Sequence, residues 1–120
     1  MEPVMLIVNP SSGKELGKEH APHAEAVLKE RYGNVDVRFT EKADDATHFA
    51  REAAQRGYRA VIAMGGDGTL NETVTGLAEA PHRPDFGIIP LGTVNDLARA
   101  LGVPSDPEDA IEALKTAEPT

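Results

Sequence analysis

The sequence predicts an α/β fold: a three-layer, doubly wound, mostly parallel sheet with helices on both faces. Two continuous apolar runs, Val4–Val8 and residues 60–64, are typical of strands buried on both faces. Segments with the apolar spacing of helices lie between the predicted strands, so strands and helices alternate along the chain. Such alternation favours a parallel sheet joined by right-handed crossovers.

The first strand and the first helix are expected before residue 35. Val4–Val8 runs into a loop at residues 9–13. Proline suits only the first turn of a helix, so Pro22 places the expected start of the helix near His20. Tyr32-Gly33-Asn34 is expected to end it.

A second strand and a second helix follow. Apolar and polar residues alternate over Val35–Phe39, which predicts a half-exposed strand nearer an edge of the sheet, with Thr40 at its carboxyl end. The apolar residues at 46–54 are three and four apart, which is helical spacing. Gly57 is expected to stop this helix.

The most informative segment is a glycine-rich turn after a central strand at residues 59–64. Gly65-Gly66-Asp67-Gly68 has three glycines in four positions, so a ligand can approach its backbone closely. Thr69 and Glu72 have the spacing of a capping box, which predicts a helix beginning at Thr69 whose free N–H groups attract phosphate. The segment matches neither a P-loop nor a dinucleotide-binding fingerprint. A purely structural turn remains the alternative.

The remaining elements lie beyond this helix. A loop at residues 81–85 precedes a fourth strand at residues 86–89. A second strand-to-helix loop at residues 90–96 leads into a short helix. The last helix is expected to begin at Ser105, which also has capping-box spacing, with Ile111 on its inner side.

Four loops therefore leave the carboxyl ends of strands: residues 9–13, 40–43, 65–69 and 90–96. In a parallel sheet these ends share one edge, and ligands of doubly wound sheets bind there. The sequence predicts the binding site at this edge.

Composition narrows the function classes. A chain of 120 residues fits one domain, and its net charge of −8 argues against a general nucleic-acid or anionic-membrane surface. A phosphate site must therefore depend on groups close to the ligand and not on the net charge of the whole chain. Because there is no cysteine, disulfides and thiolate metal sites are excluded. Neither a secretory leader nor an apolar run of membrane-spanning length is evident, so a cytoplasmic location is expected.

Four motifs, in order and spacing, resemble the diacylglycerol kinase catalytic domain family, which includes bacterial lipid kinases and sphingosine kinases. They are Asn9-Pro10-x-Ser12-Gly13, Thr40, Gly65-Gly66-Asp67-Gly68-Thr69-x-Asn71-Glu72 and Pro90-Leu91-Gly92-Thr93-x-Asn95-Asp96-x-Ala98-Arg99. NAD kinases and phosphofructokinases have a similar Gly-Gly-Asp-Gly turn, whereas the last motif resembles the lipid-kinase branch. The resemblance implies transfer of the γ-phosphate of ATP to the hydroxyl of a diacylglycerol-like lipid, with Mg²⁺ as cofactor.

The resemblance also implies which residues contact ATP. They are Asn9, Pro10, Ser11, Ser12, Gly13, Thr40, Gly65, Gly66, Asp67, Gly68, Thr69, Asn71, Glu72 and Thr93. Their hydroxyl and N–H groups are suited to phosphate and ribose oxygens. For Ser12, which has Glu15 at capping-box spacing, helix capping is the favoured alternative.

Asp67 is the expected catalytic residue. It is positioned to hold Mg²⁺, which we favour, or to accept the proton of the lipid hydroxyl. Asn95, Asp96 and Arg99 are expected on the acceptor side, although a surface ion pair between Asp96 and Arg99 is an equal alternative.

The resemblance further implies that residues 1–116 form an ATP-binding domain and that residues 117–120 begin a linker to a second, β-rich domain. That domain would hold the lipid and supply the general base, so little activity is expected without it. Transient membrane contact and a homodimer are compatible with this interpretation, and nucleic acid is not an expected partner. Two alternatives stay open: an NAD or sugar-phosphate kinase of the same superfamily, and a nucleotide-binding module without catalysis.

Overall fold

A computed structural model describes residues 3–10, 12–78, 84–90 and 111. Four strands and three helices alternate along these residues, as predicted. They are β1 (Val4–Val8), α1 (Ser12–Tyr32), β2 (Val35–Phe39), α2 (Asp45–Gln55), β3 (Ala60–Gly65), α3 (Asp67–Ala78) and β4 (Asp85–Pro90).

The four strands form one parallel sheet in the order β2-β1-β3-β4. Val4 of β1 lies opposite Val35 on one side and Ala60 on the other, so β1 and β3 occupy the centre of the described sheet. β1 and β3 are buried throughout, whereas β2 is mostly half-buried. The half-exposed edge strand predicted at Val35–Phe39 is therefore confirmed.

Helices cover both faces of the sheet because alternate side chains of each strand point to opposite faces. On one face, Leu6 of β1 packs in a cluster with Ala24 and Leu28 of α1. Ile111, which is helical and fully buried, belongs to the same cluster. On the other face, Ile7 clusters with residues of α2 and with Leu77 of α3. The predicted three-layer, doubly wound fold is confirmed.

The first helix begins earlier than expected. It starts at Ser12 rather than near His20, and Pro22 lies inside it. An internal proline removes one backbone hydrogen bond and costs about 3 kcal/mol. Burial of Ala21, Ala24 and Leu28 against the sheet offsets that cost, so tertiary packing overrides the local rule.

The third helix also begins earlier than expected. It starts at Asp67 rather than at Thr69, because Leu70 N donates to Gly66 O at 3.1 Å and closes the first turn there. The capping box expected at Thr69 is therefore wrong, and the Thr69 hydroxyl has a different partner. Each end of β3 and of β4 differs from its expected position by one residue.

Several predicted elements lie outside the described residues. They are residues 81–83 of the predicted loop at 81–85, residues 91–96 of the predicted loop at 90–96, the short helix after it, the last helix apart from Ile111, and the linker at 117–120. Among the described residues, no helix combines the length and the apolar character needed to cross a membrane.

Candidate functional site

The candidate site lies at the carboxyl edge of the sheet, where the direction of winding reverses. From β1 the chain passes to β2 on one side, and β3 then lies on the other side of β1. The loops after β1 and β3 consequently diverge, and a crevice opens between them. This arrangement places the segments after β1, β2 and β3 at a single cleft.

Asn9 joins the end of β1 to the beginning of α3. Its backbone N–H donates to Met64 O at 3.0 Å, and its side-chain Nδ2 donates to Thr69 Oγ1 at 3.1 Å. Thr69 is buried, and its carbonyl oxygen accepts a hydrogen bond from Thr73 Oγ1 at 2.9 Å. The Thr69 side chain is thus held by Asn9, and its backbone carbonyl by Thr73.

The glycines of the turn have different roles. A Cβ on Gly65 would lie 2.7 Å from Thr69 Cβ and 2.8 Å from Thr69 Oγ1, so only glycine lets β3 approach the helix this closely. A Cβ on Gly68 would meet no atom within 4 Å, and Gly68 lines the cleft. Gly65 therefore serves packing, and Gly68 keeps the cleft accessible.

The loop after β2 forms the second wall of the cleft. Thr40 is buried, and its N–H donates to Val8 O at 2.8 Å. Asp45 Oδ2 accepts the N–H groups of Glu41 at 2.8 Å and Lys42 at 3.1 Å. The bond from the Glu41 N–H is the main reason why the pKa of Asp45 is lowered from 3.8.

The loop and helix segments enclose an open cleft of about 320 Å³. Its walls are mainly polar, with two carboxylates and one ammonium group among its residues. They are Asn9, Thr40, Glu41, Lys42, Ala43, Gly68, Thr69 and Glu72.

The structure brings five of the predicted contact residues together at this cleft: Asn9, Thr40, Gly68, Thr69 and Glu72. Others belong to the same elements or to the segments beside them. Pro10 lies just after β1, and Ser12 and Gly13 begin α1. Gly65 ends β3, and Gly66 lies between β3 and α3. Asp67 is the first residue of α3, and Asn71 lies in its second turn. Ser11, Thr93, Asn95, Asp96 and Arg99 lie outside the described residues.

Sequence reasoning missed Glu41, Lys42 and Ala43 as lining residues, and Asp45 as the residue that holds their loop. Their position directly after Thr40 was a usable signal, because that loop was expected at the binding edge. The hydrogen bonds of Asp45 were not predictable in the same way. Asp44, with φ of 72°, lets the chain turn back so that the Asp45 carboxylate meets the preceding N–H groups.

The donor groups at the cleft suit an anionic ligand. Helix α3 begins at the cleft, so its first N–H groups and its positive dipole end favour phosphate. Over the described part of the chain, no group of three or more His, Asp or Glu residues forms a metal cage. Mg²⁺ is commonly held by one or two carboxylates together with substrate phosphates and water, and Glu72 lines the cleft where such a carboxylate is needed.

Comparisons with known proteins agree with this geometry. The family profile of the diacylglycerol kinase catalytic domain matches residues 3–120. The chain is 48% identical over 109 residues to a diacylglycerol kinase of Staphylococcus aureus (strain JH9), covering 91% of this chain and 35% of that relative. It therefore spans about a third of the length of the curated relatives it matches.

Solved structures give the same result. A diacylglycerol kinase structure from Bacillus anthracis superimposes with a TM-score of 0.85 at 35% identity, covering 95% of this chain and 39% of that one. A phosphate-loop protein solved in solution has a TM-score of 0.53 at 22% identity, a likeness that shows the fold alone.

Proposed function

Because the chain belongs to the diacylglycerol kinase catalytic domain family, we propose that it is the ATP-binding part of a lipid kinase. The cleft would hold Mg·ATP, and the γ-phosphate would pass to the hydroxyl of a diacylglycerol-like lipid. In phosphoryl transfer, catalysis consists mainly of positioning and of electrostatic stabilisation. The residues of this chain would position the nucleotide and stabilise the charge on its phosphates.

One observation carries the proposal: Asn9 and Thr69, 60 residues apart, meet through a hydrogen bond at the point where the winding of the sheet reverses. This bond fixes the loop after β1 beside the start of α3, and both line the cleft. The phosphates would lie against Gly68 and Thr69, where helix N–H groups are available. Thr40 would contact the nucleotide from the other wall.

Two carboxylates would bind the metal ion in this proposal. Asp67 and Glu72 belong to the first turns of α3, and they would hold Mg²⁺ directly or through water. When bound, Mg²⁺ neutralises negative charge on the phosphates. Ser11, Thr93 and the acceptor-side residues Asn95, Asp96 and Arg99 remain predictions from the family motifs.

The acceptor side would lie largely in a second domain. The residues named above would bind the nucleotide, and the chain covers 35% of a relative called diacylglycerol kinase. We therefore expect the 120-residue chain to bind nucleotide with little turnover. The general base, the lipid contacts and any membrane contact would then belong to the remaining length of the enzyme.

Calorimetric titration with Mg·ATP and Mg·ADP tests the nucleotide site. Gly68→Val is the informative variant, because its side chain would enter the cleft while its Cβ meets no other atom. Thr75→Val is the control, since Thr75 is exposed on the same helix and does not line the cleft. Binding that Gly68→Val abolishes and Thr75→Val keeps is expected. Equal binding by both variants would exclude the cleft.

The acceptor would be tested in the full-length kinase of which, on this proposal, the chain is the ATP-binding part. We expect transfer of labelled γ-phosphate to dioleoylglycerol in vesicles, and none to NAD or to fructose 6-phosphate. Asp67→Asn in that enzyme is expected to abolish transfer. Phosphorylation of NAD without phosphorylation of lipid would assign the chain to the alternative branch.

A further inference from the structure

Helices α2 and α3 lie close together at Thr47. Its Oγ1 donates to Glu72 O at 2.8 Å, across 25 residues of sequence. A Cβ on Gly76 would lie 2.4 Å from Thr47 O and 2.9 Å from Ala50 Cβ. The two helix backbones therefore touch at Thr47, with a hydrogen bond on one side and a glycine contact on the other.

This hydrogen bond is unusual among the threonines of these helices. Thr73 and Thr75 donate to the carbonyl oxygens four residues earlier in their own helix, Thr69 O at 2.9 Å and Asn71 O at 3.0 Å. That is the ordinary arrangement for a helical threonine. Thr47 instead donates to the neighbouring helix, so its hydroxyl restrains one helix relative to the other.

The two helices continue the two walls of the cleft. α2 begins at Asp45, directly after the loop at residues 40–43, and the Asp45 carboxylate holds that loop. α3 contributes Gly68, Thr69 and Glu72 to the opposite wall. Glu72 both lines the cleft and accepts the hydrogen bond from Thr47. The contact that restrains the helices is thus made to a residue of the site itself.

We infer that Thr47 is a positioning residue, which together with Gly76 sets the separation of the two cleft walls. The inference rests on the proposed nucleotide site and goes beyond it, because Thr47 does not line the cleft. If Thr47 were only part of the core, replacing it would change stability and leave the wall separation and the affinity unchanged.

The test compares three threonine substitutions in the 120-residue chain. Thr47→Val keeps the shape and removes the donor, Thr47→Ser keeps the donor, and Thr75→Val makes the same change where the hydroxyl bonds within its own helix. Since the chain has no cysteine, Glu41→Cys and Asn71→Cys, both at exposed positions, allow paired spin labels on the two walls. Pulsed electron paramagnetic resonance then gives the distribution of distances between the two labels, and so between the walls.

Thr47→Val is expected to broaden this distribution. In the unlabelled variant, affinity for Mg·ATP is expected to fall about three- to tenfold, as for loss of one hydrogen bond. Thr47→Ser and Thr75→Val should match the parent in both measurements. If circular dichroism shows Thr47→Val unfolded, Gly76→Ala, which separates the helices while keeping the hydroxyl, is measured in its place.

Two outcomes overturn different statements. An unchanged distance distribution and unchanged affinity in Thr47→Val, with only a lower melting temperature, would overturn the positioning role. Absence of nucleotide binding by the folded parent would overturn the proposed nucleotide site, while the distance distributions would still decide whether Thr47 holds the walls.

Discussion

Replacing Gly65 by alanine tests how closely β3 approaches α3. The new Cβ would lie 2.7 Å from Thr69 Cβ, 2.8 Å from Thr69 Oγ1 and 2.9 Å from Thr69 Cγ2. Gly65 does not have a positive φ, so alanine suits its backbone and the effect comes from this contact alone. Thr69 must move, and the hydrogen bond from Asn9 at 3.1 Å is then lost.

The magnitude follows from these two effects. Overpacking a close-packed site costs about 1–3 kcal/mol. Loss of the Asn9 hydrogen bond adds about 1 kcal/mol. We therefore expect Gly65→Ala to lower the free energy of unfolding by about 2–4 kcal/mol, which is a large fraction of the total for a small domain. Urea denaturation followed by circular dichroism measures it, with Thr75→Val as the control variant.

A double-variant cycle identifies the contact responsible. Thr69→Ala keeps the nearest atom, Thr69 Cβ, but has already lost the hydrogen bond from Asn9, so Gly65→Ala should cost about 1–3 kcal/mol in that background, without the further 1 kcal/mol expected in the parent. In a Thr69→Gly background the Cβ is absent, and the cost of Gly65→Ala should almost vanish. A cost below about 0.5 kcal/mol in the parent, the range of ordinary surface substitutions, would refute the reasoning.

Three further predictions concern other contacts. Gly76→Ala is expected to lower stability by about 1–2 kcal/mol in urea denaturation, because overpacking against Thr47 O exceeds the gain of about 1 kcal/mol in helix propensity; a stabilised variant would contradict it. The lowered pKa of Asp45 means that its carboxylate stabilises the fold above about pH 4 and that this contribution is lost as the pH falls through the folded-state value. Asp45→Asn should therefore show a shallower loss of melting temperature below pH 4, whereas an identical acid profile would exclude the role. Burial, and then the hydrogen bond to Asp36, raise the pKa of Tyr58, so its contribution is present below about pH 10 and lost at higher pH. Tyr58→Phe should cost about 1 kcal/mol at pH 7 and flatten the alkaline loss of stability, and a parallel pair of pH profiles would disprove this.

The strands, and their alternation with helices along the chain, were predictable because each strand and each helix has its own local apolar pattern. Val4–Val8 is buried on both faces and reads as a continuous apolar run, while the edge strand Val35–Phe39 alternates. The start of α1 was not predictable from the same evidence. The rule for Pro22 is a local preference, and packing of the helix against β1 overrides it.

The sequence predicted part of the site and not all of its contacts. The loops at strand ends gave the location, and the family motifs gave Asn9, Thr40, Gly68, Thr69 and Glu72, all of which line the cleft. Thr69 was nevertheless given the wrong local partner. A capping box is a sequence pattern of neighbours, but the hydroxyl of Thr69 bonds to Asn9, which only the folded sheet brings near.

The walls of the cleft are held by hydrogen bonds within the chain. One wall is fixed by the Asp45 carboxylate on two preceding N–H groups, and the other by the hydrogen bond between Asn9 and Thr69. Thr47 then links the two walls through Glu72 O. A site organised in this way spends little binding free energy on ordering its own groups, so more is available to position a ligand. For a proposed phosphoryl transfer that relies on positioning, such rigidity in the nucleotide half is the property that the chemistry requires.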